Sequence, residues 1–365
     1  MVLQTNVHLT FVMGLSWFDT KSLILRGNEV VKITEQYNGY ETHYPILLEV
    51  SNKQLEKQLW FASKIRVVEE DRMEMLYKLD KQQQNVVTRI LPTFRKYEDN
   101  VADFWSKVYP EFFVHPECKE GASVINMVER AVHERFYDKV NKVFGLDNDE
   151  HYLSYLNDPI FKCRAKWLGE TLDQEDKKLT CLVYGLVEGV SLFSMFALLR
   201  SFQANGINLI ATTVKGTKQS AVDELLHSEF LAYSFRYYYA ELNSSLDEDI
   251  EYRDKLLEQV YNVVEMEDFI LTEVIKTEGF PDDKFNGVYL TEYFKLVRML
   301  ANKYFELLGS NIKPFPEVTE CTLYEWFVTA SKAYAEADFF GKGEGKEYEH
   351  AWNEDGFIKC WNKGE

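Results

Sequence analysis

The chain has 365 residues, of which 46% are hydrophobic and 15% aromatic, so it can bury a sizeable core and is not an intrinsically disordered protein. Its formal net charge is −18, which repels phosphate backbones and argues against nucleic-acid binding as the main activity. The five cysteines are far apart and form no C-x-x-C pair, which is typical of reduced thiols in a cytoplasm.

The first residues of the chain, Met1 to His8, show no basic stretch followed by an apolar run, so we expect a cytoplasmic protein without a secretion signal. Residues 182–199 are nearly all apolar and resemble a membrane span, but Glu188 lies in their middle. Because a lone carboxylate at the centre of a bilayer is costly, the sequence predicts a buried core helix here and no membrane association.

Helical patterns dominate the chain from about residue 51 onward. The sequence predicts an all-α fold with an irregular segment over residues 1–50, a helical bundle over 51–340 and a flexible, glycine-rich tail over 341–365. A Ser51–Gln54 capping box is expected to open the first helix. The predicted helices cover residues 51–60, 86–105, 122–144, 159–168, 179–202, 219–242, 249–275, 289–308 and 323–335.

Two predicted helices each carry a glutamate and a histidine that could bind a metal ion. Glu129 and His133 are spaced i, i+4, and Tyr137 follows at i+8 on the same face. Glu224 and His227 are spaced i, i+3 on a later helix. One such pair is more often an ordinary hydrogen-bonded pair than a metal site, so the rest of the chain has to supply the other ligands.

Two further carboxylates complete the set. Glu188 is isolated in the most apolar helix, where an unpaired carboxylate needs a cation or a shifted pKa. Glu98 stands beside Asp99 in the helix that precedes the first pair, and either residue can supply a ligand. Ferritin-like dinuclear proteins have this ligand pattern. Two of their helices each supply one carboxylate, and two others each supply a carboxylate and a histidine. Four carboxylates balance two divalent ions, and this donor set suits iron or manganese.

At this point the sequence resembles the small, radical-generating subunit of class I ribonucleotide reductase, in a divergent phage-like or bacterial branch. The resemblance covers roughly residues 57–348 and rests on the order and separation of the two ligand pairs. Residues 223–227, Asp-Glu-Leu-Leu-His, are close to the family's motif, and Tyr137 lies four residues after His133, where the family keeps its radical tyrosine.

Shorter segments extend the resemblance toward both ends of the chain. Residues 57–60, Lys-Gln-Leu-Trp, are similar to the segment that carries the family's radical-path tryptophan. Residues 313–316 and 338–340 are similar to its closing segments, and Tyr348 stands where a tail tyrosine is expected.

One position departs from the family pattern. The family usually spaces its first pair Glu-x-x-His, but the residue three before His133 is Arg130, and Glu129 is four before. Either Glu129 is the ligand, helped by a local helix irregularity, or Arg130 replaces a ligand and the site binds metal poorly. We favour Glu129, because an arginine directed at two cations is unfavourable. The same shift of register selects Glu98 over Asp99.

The resemblance implies specific roles for these residues. Glu98, Glu129, His133, Glu188, Glu224 and His227 would hold two metals, with iron as the first choice and manganese or a mixed manganese/iron centre as alternatives. Reaction with oxygen would oxidise Tyr137 to a radical shielded by Phe136, Leu192 and Phe196.

The radical would then travel through Trp60, with Asp223 and His133 as hydrogen-bonded neighbours, and through Tyr348 to a large catalytic subunit that reduces ribonucleoside diphosphates to deoxyribonucleotides. The resemblance also implies a homodimer in the cytoplasm, or in the host cytoplasm if the protein is phage-encoded.

Two other functions fit parts of the sequence. A stand-alone dinuclear oxygenase or oxidase on the same fold would use the metal ligands without the aromatic path or the tail. A non-catalytic helical scaffold or metal-storage protein would make Tyr137 and Trp60 coincidental. A tyrosyl radical that depends on Tyr137 would distinguish a ribonucleotide reductase small subunit from both of these alternatives.

Overall fold

The computed structural model describes residues 31–39, 41–65, 69–277 and 283–327. The fold set out below is that of the compact unit Asp19–Cys321, and residues 322–327 form a helical segment of a separate unit. Tyr348 and the predicted tail lie outside the described residues. The predicted division into residues 1–50, 51–340 and 341–365 therefore stays a prediction.

The fold is built from helices. The helices of this unit are α1 Pro45–Lys53, α2 Glu69–Tyr77, α3 Lys81–Asp103, α4 Tyr109–Phe112, α5 Pro116–Val128, α6 Glu134–Phe144, α7 Asp149–Tyr152, α8 Ser154–Asn157, α9 Pro159–Asp173, α10 Lys177–Leu186, α11 Phe193–Arg200, α12 Ala211–Glu241, α13 Ile250–Thr277 and α14 Leu290–Leu307. Within the described residues, four π-helical turns and one 3₁₀ turn continue or join them: Gln54–Gln58, Phe104–Val108, Glu129–His133, Val187–Ser191 and the 3₁₀ turn Ser201–Gln203.

Helix starts follow from short polar caps. Asp80 and Gln83 form a capping box at α3, where the Asp80 carboxylate accepts from the Gln83 backbone N–H at 2.8 Å and the Gln83 side chain accepts from the Asp80 backbone at 3.0 Å. Asp158 caps α9, which begins with Pro159 as the sequence predicted. Pro92 lies inside α3, which continues past it for more than two turns.

The predicted start of the first helix is wrong. The helix begins at Pro45, because proline is well suited to the first helical turn, and Ser51 lies inside it with its hydroxyl donating to the Leu47 carbonyl at 2.9 Å. Gln54 does not close a capping box. Its side chain has a partner elsewhere in the fold, described below.

Among the described residues, the strands are confined to one hairpin, which the sequence reading missed. Strands β1 Lys284–Phe285 and β2 Val288–Tyr289 pair antiparallel, with Phe285 opposite Val288. Asn286 and Gly287 form the turn with φ of 50° and 80°, as an Asn-Gly hairpin turn requires. This dipeptide was the signal in the sequence from which the hairpin could have been predicted.

The apolar stretch around Glu188 is a core helix. Lys177–Gln203 is long and apolar enough to cross a bilayer, but its most apolar window is entirely buried within the protein. The reading of this segment as a buried core helix is therefore confirmed.

The centre of the unit lies where four helical segments pack together. These are α3, the α5–α6 helix, the α10–α11 helix and α12, and each carries part of the predicted ligand set. Helices α9, α13 and α14 pack outside them. The predicted all-α, ferritin-like fold is confirmed.

Candidate metal centre

The six predicted ligands meet in the interior as two overlapping groups. Glu98, Glu129, His133 and Glu224 offer ligand atoms that all lie within 4.8 Å of one another, and Glu129, Glu188, Glu224 and His227 do the same. All six side chains are fully buried. Glu129 and Glu224 belong to both groups, so these two carboxylates would be shared if two ions were bound, and each of the other four residues belongs to one group.

Both imidazoles present Nδ1 to the carboxylates. His133 Nδ1 lies 3.0 Å from Glu129 Oε2, 3.0 Å from Glu224 Oε1 and 3.5 Å from Glu98 Oε2. His227 Nδ1 lies 2.7 Å from Glu129 Oε1 and 3.0 Å from Glu224 Oε2. The two rings therefore face the same pair of shared carboxylates, and their centroids are 6.2 Å apart.

The π turn Glu129–His133 explains the unusual spacing of the first pair. The Glu134 N–H bonds to the Glu129 carbonyl, which is the i→i+5 bond of a π-helix. Such a turn holds about one residue more than an α-helical turn, so residues four apart come to one face. Glu129 and His133 consequently point together into the interior, as Glu224 and His227 do at a spacing of three.

Arg130 occupies the outer side of this turn. Its guanidinium lies 2.7 Å from Asp99 Oδ1 and 2.6 Å from Asp103 Oδ1, and the side chain is 39% exposed. Asp99 is thereby held toward the surface by Arg130, whereas Glu98 beside it is fully buried. Of the alternatives that the sequence left open, the geometry favours Glu129 over Arg130 and Glu98 over Asp99.

The carboxyl groups of this site differ in the direction of their pKa shifts. Burial raises the pKa of Glu98 well above its usual range, and the adjacent Glu129 charge adds to this. Burial likewise raises the pKa of Glu188, helped by the Glu224 charge. Burial opposes ionisation of Glu129, but His133 and His227 together lower its pKa.

The two imidazoles respond in the opposite sense. Burial disfavours their charged forms, but the surrounding carboxylates raise the pKa of both His133 and His227 well above the usual range. Two divalent ions would supply the positive charge that the four buried carboxylates need, and they would displace protons from these groups on binding.

The donor atoms also fit metal ions. Both oxygens of Glu98 and the Oε2 atom of Glu188 accept no hydrogen bond from the described residues. Buried acceptors without a donor are costly, and a cation between them removes that cost. Glutamate oxygens with one imidazole nitrogen per ion are the donors that iron and manganese accept.

Asp223 fixes the orientation of His133 and connects it to Trp60. Its Oδ2 atom lies 3.0 Å from His133 Nε2 and accepts from the Trp60 indole N–H at 2.7 Å. Its Oδ1 atom accepts from the Gln54 amide at 3.1 Å. Because Asp223 binds Nε2, His133 keeps Nδ1 for the metal side, as ligand histidines do when a carboxylate supports them. The Trp60 and His133 rings stack with centroids 5.7 Å apart.

Two features around Glu188 were not found from the sequence. The Trp105 indole N–H donates to Glu188 Oε1 at 2.6 Å, from a position seven residues after Glu98 and hence on the same helix face. A side chain at Gly189 would place its Cβ 2.5 Å from the Ser228 hydroxyl, so glycine is needed for the π turn Val187–Ser191 to contact α12 this closely. The spacing of Trp105 from Glu98 was the available signal in the sequence.

Tyr137 is enclosed by aromatic rings. Its ring stacks on Phe94 with centroids 4.7 Å apart and meets the edge of Phe136 at 5.1 Å. Phe196, one of the shielding residues expected from the sequence, stacks on the Phe94 ring at 5.1 Å, and Leu192 is buried.

The Tyr137 hydroxyl donates no hydrogen bond to the described residues. Burial raises its pKa well above the usual range, and the Glu98 charge raises it further. The nearby Ser220 hydroxyl opposes this rise in the pKa of Tyr137, but it does not reach hydrogen-bonding geometry.

Comparison with known proteins adds two kinds of finding. A family model described as ribonucleotide reductase, small chain, matches residues 36–318, which is well over half of the chain. No curated protein sequence matches the chain.

Solved structures with the same fold include three from different organisms. A protein of Bacillus halodurans described as a class I ribonucleotide reductase has a TM-score of 0.67 at 19% identity, over 79% of this chain and 100% of its own. The dimanganese(II)-NrdF of Streptococcus sanguinis has a TM-score of 0.65 at 17% identity, over 81% and 99%. The Rnr4 homodimer of Saccharomyces cerevisiae has a TM-score of 0.61 at 15% identity, over 82% and 89%. At these identities the likeness to each structure supports the fold.

Proposed function

The chain belongs to the ribonucleotide reductase small-chain family, and we propose that it is the radical-generating small subunit of a class I enzyme. It would store a radical on Tyr137 and pass it to a large catalytic subunit that reduces ribonucleoside diphosphates to deoxyribonucleotides. The observation that carries this proposal is the placement of the buried carboxylate–histidine site, which is joined to Trp60 through Asp223 by hydrogen bonds of 3.0 and 2.7 Å.

The proposed ligands are the six residues of the two groups, with Glu129 and Glu224 shared between two ions. Iron is the first choice, and manganese or a mixed centre uses the same donors. When bound, the dinuclear centre supplies the oxidising power, by reaction with oxygen, that removes one electron and one proton from Tyr137. Trp105 and Asp223 would hold Glu188 and His133 in place for this role.

Tyr137 is suited to storing a radical because of what surrounds it. Stacking on Phe94 and edge contact with Phe136 exclude water and soluble reductants from the ring. The unpartnered hydroxyl leaves the oxygen without a donor that would return a proton.

Trp60 would be the first residue on the route outward. Its indole N–H is bonded to Asp223, which can keep the indole proton within the hydrogen bond while the electron moves. Tyr348, which lies outside the described residues, is the proposed last residue before the large subunit. Docking by the tail of residues 341–365, a homodimeric assembly and a cytoplasmic location complete the proposal.

Reconstitution of the metal-free full-length protein with ferrous iron and oxygen tests the proposal by electron paramagnetic resonance. We expect a tyrosyl signal that is absent from Tyr137→Phe and present in Tyr184→Phe. Tyr184 is a matched control, since it is also fully buried, stacks on Phe104 at 4.0 Å and has a hydroxyl without a hydrogen bond to the described residues. A missing signal, or one that survives Tyr137→Phe, would overturn the radical assignment.

A second measurement separates the proposal from a stand-alone oxidase. Trp60→Phe should keep the tyrosyl signal and lose nucleotide reduction when the protein is mixed with its large subunit. Removal of residues 341–365 should have the same effect. Full reduction activity in both variants would contradict the proposed radical route.

A further inference from the structure

A buried ion pair lies directly behind the Glu188 turn. Arg164 on α9 and Glu267 on α13 are 2% and 0% exposed, and one guanidinium nitrogen, Nη2, contacts Glu267 Oε2. Neither α9 nor α13 supplies a proposed metal ligand. Burying such a pair is often no more stabilising than packing apolar side chains in its place, so its presence calls for a role other than stability.

The Glu267 carboxylate is tied by hydrogen bonds to the segment that carries Glu188. Ser191 Oγ donates to Glu267 Oε1 at 3.2 Å, and Ser194 Oγ donates to Glu267 Oε2. Ser191 in turn accepts from the Tyr97 hydroxyl, and the Arg164 guanidinium lies 5.9 Å from the centre of the Tyr97 ring. All five side chains are buried.

These hydrogen bonds hold the backbone turn that contains Glu188, because Ser191 belongs to the same turn. Ser191 is the last residue of the π turn Val187–Ser191, and Glu188 is the second. A π turn departs from the α-helical hydrogen-bond ladder, so its conformation depends on contacts made by its side chains. Tyr97 immediately precedes Glu98 on α3. The same hydrogen-bonded network therefore also reaches the helix that carries Glu98, a ligand of the other group.

We propose that Glu267, held by Arg164, is a positioning residue that fixes the Glu188 turn through Ser191 and thereby shapes the metal position formed with His227. The inference rests on the proposed dinuclear site and deepens it. Glu267 itself touches no metal. It acts through the Ser191 hydroxyl, which donates to its carboxylate.

Titration of the metal-free full-length protein with manganese(II) alone tests this role, with free ion measured by electron paramagnetic resonance. The parent should bind two ions per chain. Ser191→Ala should bind one ion as the parent does and the second at least tenfold more weakly, since loss of a group that orients a ligand costs about 10–100-fold in metal affinity. Glu267→Gln, which keeps the shape of the side chain, should show the same selective loss.

Two matched controls separate positioning from general destabilisation. Ser194→Ala removes a hydroxyl from the same carboxylate outside the π turn, and Asp268→Asn weakens the pair with Arg298, which is 24% exposed on each side and lies one residue along α13. Both controls should bind two ions within about threefold of the parent, the range of a surface or neighbouring change.

Each outcome of the titration decides the proposal. It is overturned if Ser191→Ala and Glu267→Gln bind two ions as tightly as the parent, or if Ser194→Ala weakens the second ion equally. Failure of both test variants to fold would also overturn it, because the network would then support the fold and not the turn. A parent that binds fewer than two ions would instead remove the proposed dinuclear site itself.

Discussion

The two halves of the metal centre reach the same geometry by different backbone routes. Glu224 and His227 are three residues apart on α12, which runs from Ala211 to Glu241 without interruption. Glu129 and His133 are four apart and lie in a π turn between α5 and α6. In both halves the imidazole Nδ1 lies 3.0 Å from the carboxylate of its own pair.

The difference teaches that ligand spacing in a sequence depends on the local type of helix. A π turn accommodates an added residue without rotating the helix on either side of it. Arg130 is displaced outward by this turn and pairs with Asp99 and Asp103. A spacing that departs from a family motif is therefore compatible with an intact site when the added residue is accommodated in this way.

Single-residue deletions in the two halves of the metal centre should differ most strongly in their effect on metal binding. Deletion of Ala131 should turn the π turn into an α-helical turn and leave both ligands inward, so the protein should still bind two metal ions. Deletion of Leu225 should rotate the rest of the uninterrupted α12 by about 100° and abolish metal binding or folding. Circular dichroism and metal analysis of both proteins measure the contrast.

The comparison fails if the two deletions behave alike. Loss of both metals on deletion of Ala131 would mean that the π turn itself, and not only the inward direction of Glu129 and His133, is required. Retained binding on deletion of Leu225 would mean that α12 can absorb a change that its regular geometry should not allow.

Substitution of the two competing residues should give the next largest effect. Glu129→Ala removes an oxygen donor from both ligand groups, so we expect metal affinity to fall by more than about 100-fold, beyond the range for supporting residues. Arg130→Ala removes ion pairs with Asp99, Asp103 and Glu134, none of which is a proposed ligand, and should retain two ions. Metal analysis after gel filtration reads out both, and a loss confined to Arg130→Ala would contradict the assignment of Glu129.

Trp105→Phe should have an intermediate effect. It removes the indole N–H that donates to Glu188 Oε1 at 2.6 Å and leaves the ring volume nearly filled. Affinity for one of the two ions should fall by about 10–100-fold, as for other groups that support a ligand. Trp167→Phe is the control, because the Trp167 indole donates to Gln259, away from the site. Equal losses in the two variants would exclude a specific role for Trp105.

The smallest effect concerns stability at Tyr137. Since its hydroxyl has no hydrogen-bond partner among the described residues, Tyr137→Phe should change the free energy of unfolding by less than about 1 kcal/mol. Tyr304→Phe should cost about 1–3 kcal/mol, because it leaves the buried Leu182 carbonyl without its donor at 2.8 Å. Urea unfolding of the metal-free proteins compares them, and a larger loss for Tyr137→Phe would reveal a bond not present in the structure.

Helices and ligands were predictable because both follow short-range patterns. The apolar periodicity around Glu188 predicted a buried helix, and the paired spacings placed Glu129 with His133 and Glu224 with His227 on common faces. The capping prediction at Ser51 was wrong, since a Ser-x-x-Gln pattern is also compatible with a helix interior. Gln54 instead donates to Asp223, which is 169 residues away in the sequence.

Contacts between distant segments could not be read from the sequence. Trp105 meets Glu188 only because the π turn Phe104–Val108 packs against the α10–α11 helix, and Arg164 meets Glu267 across two helices that carry no ligand. The choice between Glu129 and Arg130 likewise depended on backbone geometry, because both residues lie within one turn of His133. Residue types predicted the chemistry, but packing was needed to identify the supporting groups.

The most direct test of the central claim is an anomalous-scattering crystal structure of the protein loaded with manganese(II). We predict two metal peaks in the interior, with Glu129 and Glu224 contacting both, and with His133 bound to one ion and His227 to the other through Nδ1. A single peak, or an Arg130 side chain directed into the site in place of Glu129, would contradict the account.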